Sequence, residues 1–213
     1  MPGPSPCAAC VDGFEPVGDV ELDGLERCLA LVAYDAGTGR LVSQVKHRGD
    51  RRAMRWFARG LAQLVVARRL QPDLITWIPA MPANRARRGF DQSEVLATQL
   101  GSELGVSCRP SLERRGRRAQ TGRSRRERLR GPEIAATTAC AGTVALVDDV
   151  VTTGASLQRG AHALRVAGAD EVVGLVATRR FITPADGATT ETALGGRPGK
   201  PDQRPLPGGP VAI

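Results

Sequence analysis

Aromatic side chains are scarce in this sequence. Phe, Trp and Tyr make up 3% of its 213 residues, so aliphatic residues and alanine must fill any core. Long apolar runs are lacking too. None approaches the ~20 residues of a membrane-spanning helix, and the opening "MPGPSPCAAC" has neither the basic nor the apolar region of a secretion signal. The expectation is a cytoplasmic protein with no membrane span. Cysteine is limited to five residues, which in a reducing compartment read as thiols or metal ligands rather than disulfides. Acids are nearly missing from one stretch: Arg109 to Arg130 holds ten arginines against Glu113 and Glu127. That net charge of +8 equals the charge of the whole chain, so the remainder is close to neutral. A local cationic segment points to a local polyanionic partner. It also has no aromatic residue, which counts against a dedicated single-strand binder that stacks bases.

What is present is an alternation of apolar runs and helical periods. "CLALVAYD" (Cys28 to Asp35) reads as a strand and "AGTG" as its turn. Met54, Phe57, Ala58, Leu61 and Val65 recur at helical spacing, predicting an amphipathic helix from Arg51 to about Leu70. "DLITWIPA" (Asp73 to Ala80) reads as a buried strand entering a proline-bearing loop. Asp91 and Glu94 form a capping-box-like start, and Leu96, Leu100 and Leu104 continue to a stop at Gly105. "TVALVDD" is a further buried strand, Ala155 to Ala167 a helix stopped at Gly168, and "EVVGLVATR" another strand. The start of the chain, to about Gly24, reads as irregular, and the Pro- and Gly-rich tail as disordered. Apolar strands alternating with helices predict an α/β fold, a mainly parallel sheet with helices on both faces. In such sheets ligands bind beyond the carboxyl ends of the strands.

Asp148 and Asp149 stand at one such end, in "ALVDDVVTTGASL". Two carboxylates there can accept hydrogen bonds from paired hydroxyls or attract a divalent cation. Thr152, Thr153, Gly154 and Ser156 lead into a helix N-terminus, where free N–H groups and the helix dipole favour an anion. Gly154 permits close backbone approach. A ligand with a diol on one side and a phosphate on the other fits, and a ribose 5-phosphate is such a ligand. "VALVDDVVTTGAS" closely resembles the phosphoribosyl-pyrophosphate (PRPP) motif of type I phosphoribosyltransferases. The resemblance implies that Asp148 and Asp149 hold the ribose hydroxyls. It implies that the loop Val151, Thr152, Thr153, Gly154, Ala155 and Ser156 holds the 5-phosphate. It also implies Mg²⁺ bound mainly through PRPP.

Further stretches narrow the resemblance. "IPAMPANRARRGFDQSEVLATQL" places Arg85, Arg87 and Arg88 after a strand, a charge pattern suited to pyrophosphate. Its "RRGFDQ" resembles the "R-R-G-F-N-Q" signature of the ComF family of competence-protein-like phosphoribosyltransferases, with Asp91 in place of the usual Asn. "RAQTGRSRRERLRG" resembles that family's mobile loop, with Gln120, Ser124, Glu127 and Arg128 in matching places. Arg123 stands there for the usual Leu and Arg130 for the usual Asn. "YDAGTGRLVSQVKHRGD" resembles an early block whose lysine is Lys46. The implied organisation is a degenerate zinc-finger-like segment over 1–24, a phosphoribosyltransferase domain over 25–182 and a disordered tail over 183–213. Cys7 and Cys10 form one Cys-x-x-Cys pair. The second pair of the family's zinc module is missing, so Zn²⁺ is not expected. The implied activity is transfer of ribose 5-phosphate from PRPP to an unidentified nitrogen acceptor. The alternative is an accessory protein of DNA uptake that keeps the PRPP-type site and contacts single-stranded DNA or a helicase-like ATPase. Oligomeric state is not legible.

Overall fold

The computed structural model describes residues 13–35, 37–39, 51–115 and 133–181. Its elements in chain order are β1 (Pro16–Asp19), β2 (Arg27–Ala33), α1 (Arg51–Ala67), β3 (Leu74–Trp77), α2 (Pro82–Arg88), α3 (Gln92–Leu104), β4 (Leu112–Arg115), β5 (Glu133–Ala136), β6 (Thr143–Val151), α4 (Ala155–Val166) and β7 (Glu171–Arg179). Five strands form one sheet in the order β1-β2-β7-β6-β3. The last four are mutually parallel, and β1 pairs antiparallel on the edge. β4 and β5 form a separate antiparallel pair.

The four parallel strands are apolar over most of their length because both faces of the sheet are covered. On one face α1 and α3 pack Met54, Phe57, Leu61, Leu96 and Leu100 against Leu29, Ile75, Val147 and Leu175. On the other, α4 and the β4–β5 pair bring Leu157, Leu164, Leu112 and Ile134 against Ala30, Leu146 and Val176. All five periodic residues of α1 are buried. That helix ends at Ala67, a turn before the expected Leu70, and Arg69 adopts a left-handed conformation at φ 55°.

Three segments differ from the sequence expectation. Pro16–Asp19, read as irregular, is a strand, because the free edge of β2 offers its backbone ladder partners such as Gly18↔Ala30. The proline-bearing loop after β3 contains the short helix α2, with Pro82 in its first turn and Gly89 at φ 78° as its cap. Within the arginine-rich stretch, Leu112–Arg115 is a strand paired with Glu133–Ala136. The segment 183–213, expected to be disordered, lies outside the described residues, as do Cys7 and Cys10.

Candidate functional site

The site is built where the sheet forks. β3 pairs with β6 only as far as Trp77↔Val147. β6 continues along β7 alone, through Asp148↔Val176 to Val151↔Arg179. The acid pair therefore lies within the strand, at the point where one of its two neighbours departs. The gap exposes the end of β6 to whatever β3 leads into.

β3 leads to α3. Asp91, buried at the N-cap, accepts hydrogen bonds from the Ser93 and Glu94 backbone N–H groups through Oδ1, at 3.1 and 3.5 Å. Its Oδ2 accepts from the Ala80 N–H at 2.6 Å. Both oxygens act as acceptors, and an Asn at this position could supply only one. Glu94 lies 3.7 Å from the Arg85 guanidinium. With α3 so anchored, the Ser93 hydroxyl donates to Asp148 Oδ1 at 2.9 Å. The same oxygen accepts the Asp149 backbone N–H at 2.9 Å. Burial, then the adjacent Asp149 carboxylate, push the Asp148 carboxyl well above the ordinary carboxylate range, against the lowering effect of these hydrogen bonds. Buried Thr178 of β7 donates to the Asp149 carbonyl at 3.1 Å.

The loop after β6 is fastened at its base, where the Arg180 N–H donates to the Val151 carbonyl at 2.8 Å. Thr152 and Thr153 are exposed, Val151 and Gly154 buried, and Ala155 and Ser156 half-buried. Gly154 is the N-cap of α4 at φ 78°. A Cβ there would meet the Leu22 side chain, which reaches over from the β1–β2 connection. Glycine is required both for the left-handed backbone and for this approach. Its cap gives no side-chain oxygen to the first turn of α4, so amide donors of that turn are left to other acceptors.

Arg114 of β4 is the residue that the reading of single motifs missed. Its Nη2 donates to Ser156 Oγ at 3.2 Å and its Nε to the Pro79 carbonyl at 2.5 Å. Burial lowers its pKa, while Asp148 and Asp91 are near enough to raise it. In the sequence it is one arginine among ten. Ser93 was also missed; its position just inside the α3 N-terminus, behind a strand end, was the available signal. Arg88 Nη1 donates to Gln92 Oε1 at 2.9 Å, Arg85 faces Glu94, and Arg87 is exposed. Lys46 and Arg128 lie outside the described residues. Cys28, on β2, has its thiol pushed up to about 12 by burial, which makes it a core residue without nucleophilic character.

No family model matches the chain. Over 147 residues it is 31% identical to the competence protein ComFC of Streptococcus pneumoniae, a match covering 67% of this chain and 64% of that protein. The chain is similar to this competence protein and spans just under two thirds of its length. Among solved structures, the chain is similar to orotate phosphoribosyltransferase from Aeropyrum pernix, at 20% identity and TM-score 0.38, over 79% of this chain and 76% of that one. It is also similar to the glutamine PRPP amidotransferase of B. subtilis, at 19% identity and TM-score 0.39, over 58% of this chain and 26% of that one. Among the described residues, no helix is long and apolar enough to cross a membrane.

Proposed function

We propose that the fork binds PRPP, and that the chain transfers ribose 5-phosphate to a nitrogen acceptor with release of pyrophosphate. The observation that carries this reading is the joining of an acid pair to an anion-type helix start, Asp148–Asp149 running through Val151 into Gly154 at the N-cap of α4. The sugar hydroxyls would donate to the two carboxylates. The 5-phosphate would take the amides of the 151–156 loop with the hydroxyls of Thr152, Thr153 and Ser156. In the reaction a bond forms from nitrogen to the anomeric carbon as the bond to pyrophosphate oxygen breaks. Positive charge develops on the sugar, and the acid pair is the fixed negative charge beside it. The all-oxygen donors of the pair suit Mg²⁺, which when bound through PRPP neutralises the leaving pyrophosphate. Arg85, Arg87 and Arg88 supply positive charge on the β3 side.

The accessory reading has behind it the competence name of the Streptococcus protein. Most of the arginines on which DNA contact would rest lie outside the described residues. Calorimetric titration of PRPP with Mg²⁺ into the parent and into Asp148→Ala/Asp149→Ala tests the proposal. Saturable binding that the double variant loses supports it and opens a screen of bases for pyrophosphate release. No binding to the folded parent would discard it.

A further inference from the structure

We infer that Arg114 is the positioning residue of the phosphate loop, and that it makes the site select a phosphorylated sugar. The inference rests on the PRPP reading and goes beyond it by assigning a residue outside the motif.

The argument begins with hydrogen-bond direction. Arg114 Nη2 is a donor only, so Ser156 Oγ is the acceptor of that 3.2 Å bond. One lone pair of the hydroxyl is then occupied, and its own proton must point away from the guanidinium. The bond converts a free rotor into an aimed donor in the first turn of α4. The second bond, from Nε to the Pro79 carbonyl, fixes the guanidinium plane against the exit of β3. Arg114 thus ties the strand end before the α2 arginines to the loop after β6. The two segments come from opposite sides of the fork.

Charge makes the second half of the argument. Both acceptors are neutral oxygens, so these bonds orient the cation without pairing its charge; Asp148 and Asp91 offset part of that charge from farther away, and Arg159 adds positive charge of its own. The guanidinium is half-buried, where a charge interacts more strongly than in water, and it lies beside a helix N-terminus of the same sign. Positive potential from two sources converges on Ser156. A ligand with a dianionic phosphate at that hydroxyl satisfies both, and an unphosphorylated sugar satisfies neither.

The test compares two ligands in five proteins. Ribose 5-phosphate and magnesium pyrophosphate are titrated calorimetrically into the parent, Arg114→Gln, Arg114→Lys, Ser156→Ala and the double variant Arg114→Gln/Ser156→Ala, each checked for folding by thermal melting. Arg114→Gln is expected to weaken ribose 5-phosphate at least 10-fold and pyrophosphate less than about 2-fold. Arg114→Lys keeps the charge without the two-acceptor fork and should fall between. Ser156→Ala should cost less in the Arg114→Gln background than in the parent, because the aimed hydroxyl exists only with Arg114 present. Equal weakening of both ligands by Arg114→Gln, or no weakening of either, overturns the inference while PRPP binding by the parent stands. Failure of the parent to bind any of these phosphates removes the PRPP reading, and the role of Arg114 falls with it.

Discussion

At the scale of single residues, Asp148 carries the clearest cost. Its folded-state pKa is raised by burial and by Asp149, while in the unfolded chain it ionises near the ordinary 3.8. Between those values the native state holds more protons than the unfolded one, so stability falls as pH rises. Above the raised value the penalty is complete, and below the ordinary range it is absent. Asp148→Asn removes the charge and keeps an oxygen to accept from Ser93 and Asp149. The variant should melt a few degrees above the parent at about pH 7.5, with the two curves converging as pH drops toward 4. Identical melting at neutral pH would show that the acid pair is not strained. Gly154 is constrained in the opposite sense. Gly154→Ala must hold a left-handed backbone and press on Leu22, which should cost about 1–2 kcal/mol for the backbone alone and weaken PRPP binding. A denaturant titration matching the parent would refute this.

At the scale of elements, the start of α3 sets the acid pair in place. Asp91 spends Oδ1 on the helix and Oδ2 on Ala80. A simple N-cap tolerates Asn as well as Asp, but here Asn would turn an amide N–H₂ toward one of the donors. Asp91→Asn should therefore cost about 1–3 kcal/mol, the penalty of a buried unsatisfied donor, measured by urea unfolding. A loss of a few tenths would show that Asp91 is only a cap. The fork of β6 belongs to this scale too. Departure of β3 after Trp77 leaves room for Ser93, so the length of a neighbouring strand determines the surroundings of Asp148.

At the scale of the whole molecule, the site joins distant parts of the chain: Leu22 from the β1–β2 connection, Ser93 from α3, Arg114 from β4 and the loop between β6 and α4. A ligand held by all of them must stabilise the fold. At ~100 times its dissociation constant, a ligand binding only the native state adds about 2.7 kcal/mol. For a chain of this size that is about 5–10 °C in melting temperature. PRPP with Mg²⁺ should produce such a shift in the parent and none in Asp148→Ala/Asp149→Ala. A shift of equal size in both would place the ligand elsewhere.

What the sequence determined alone is whatever acts over a few residues. The apolar period of α1, the Asp91 cap, the Gly105 stop and the run of Asp148–Asp149 into Thr-Thr-Gly all lie within single turns or strands, where local sterics and hydrogen bonds decide. The strand state of Pro16–Asp19 was not legible, because a four-residue polar-flanked segment becomes a strand only when an edge is offered to it. Nor were the partners of the acid pair and of the loop. Ser93 stands 55 residues from Asp148 and Arg114 stands 42 from Ser156. Separations of that length are closed by the packing of α3 and β4 on opposite faces of the sheet. Tertiary structure decided those contacts, because burial of the two apolar clusters, and no local preference, brings the groups together.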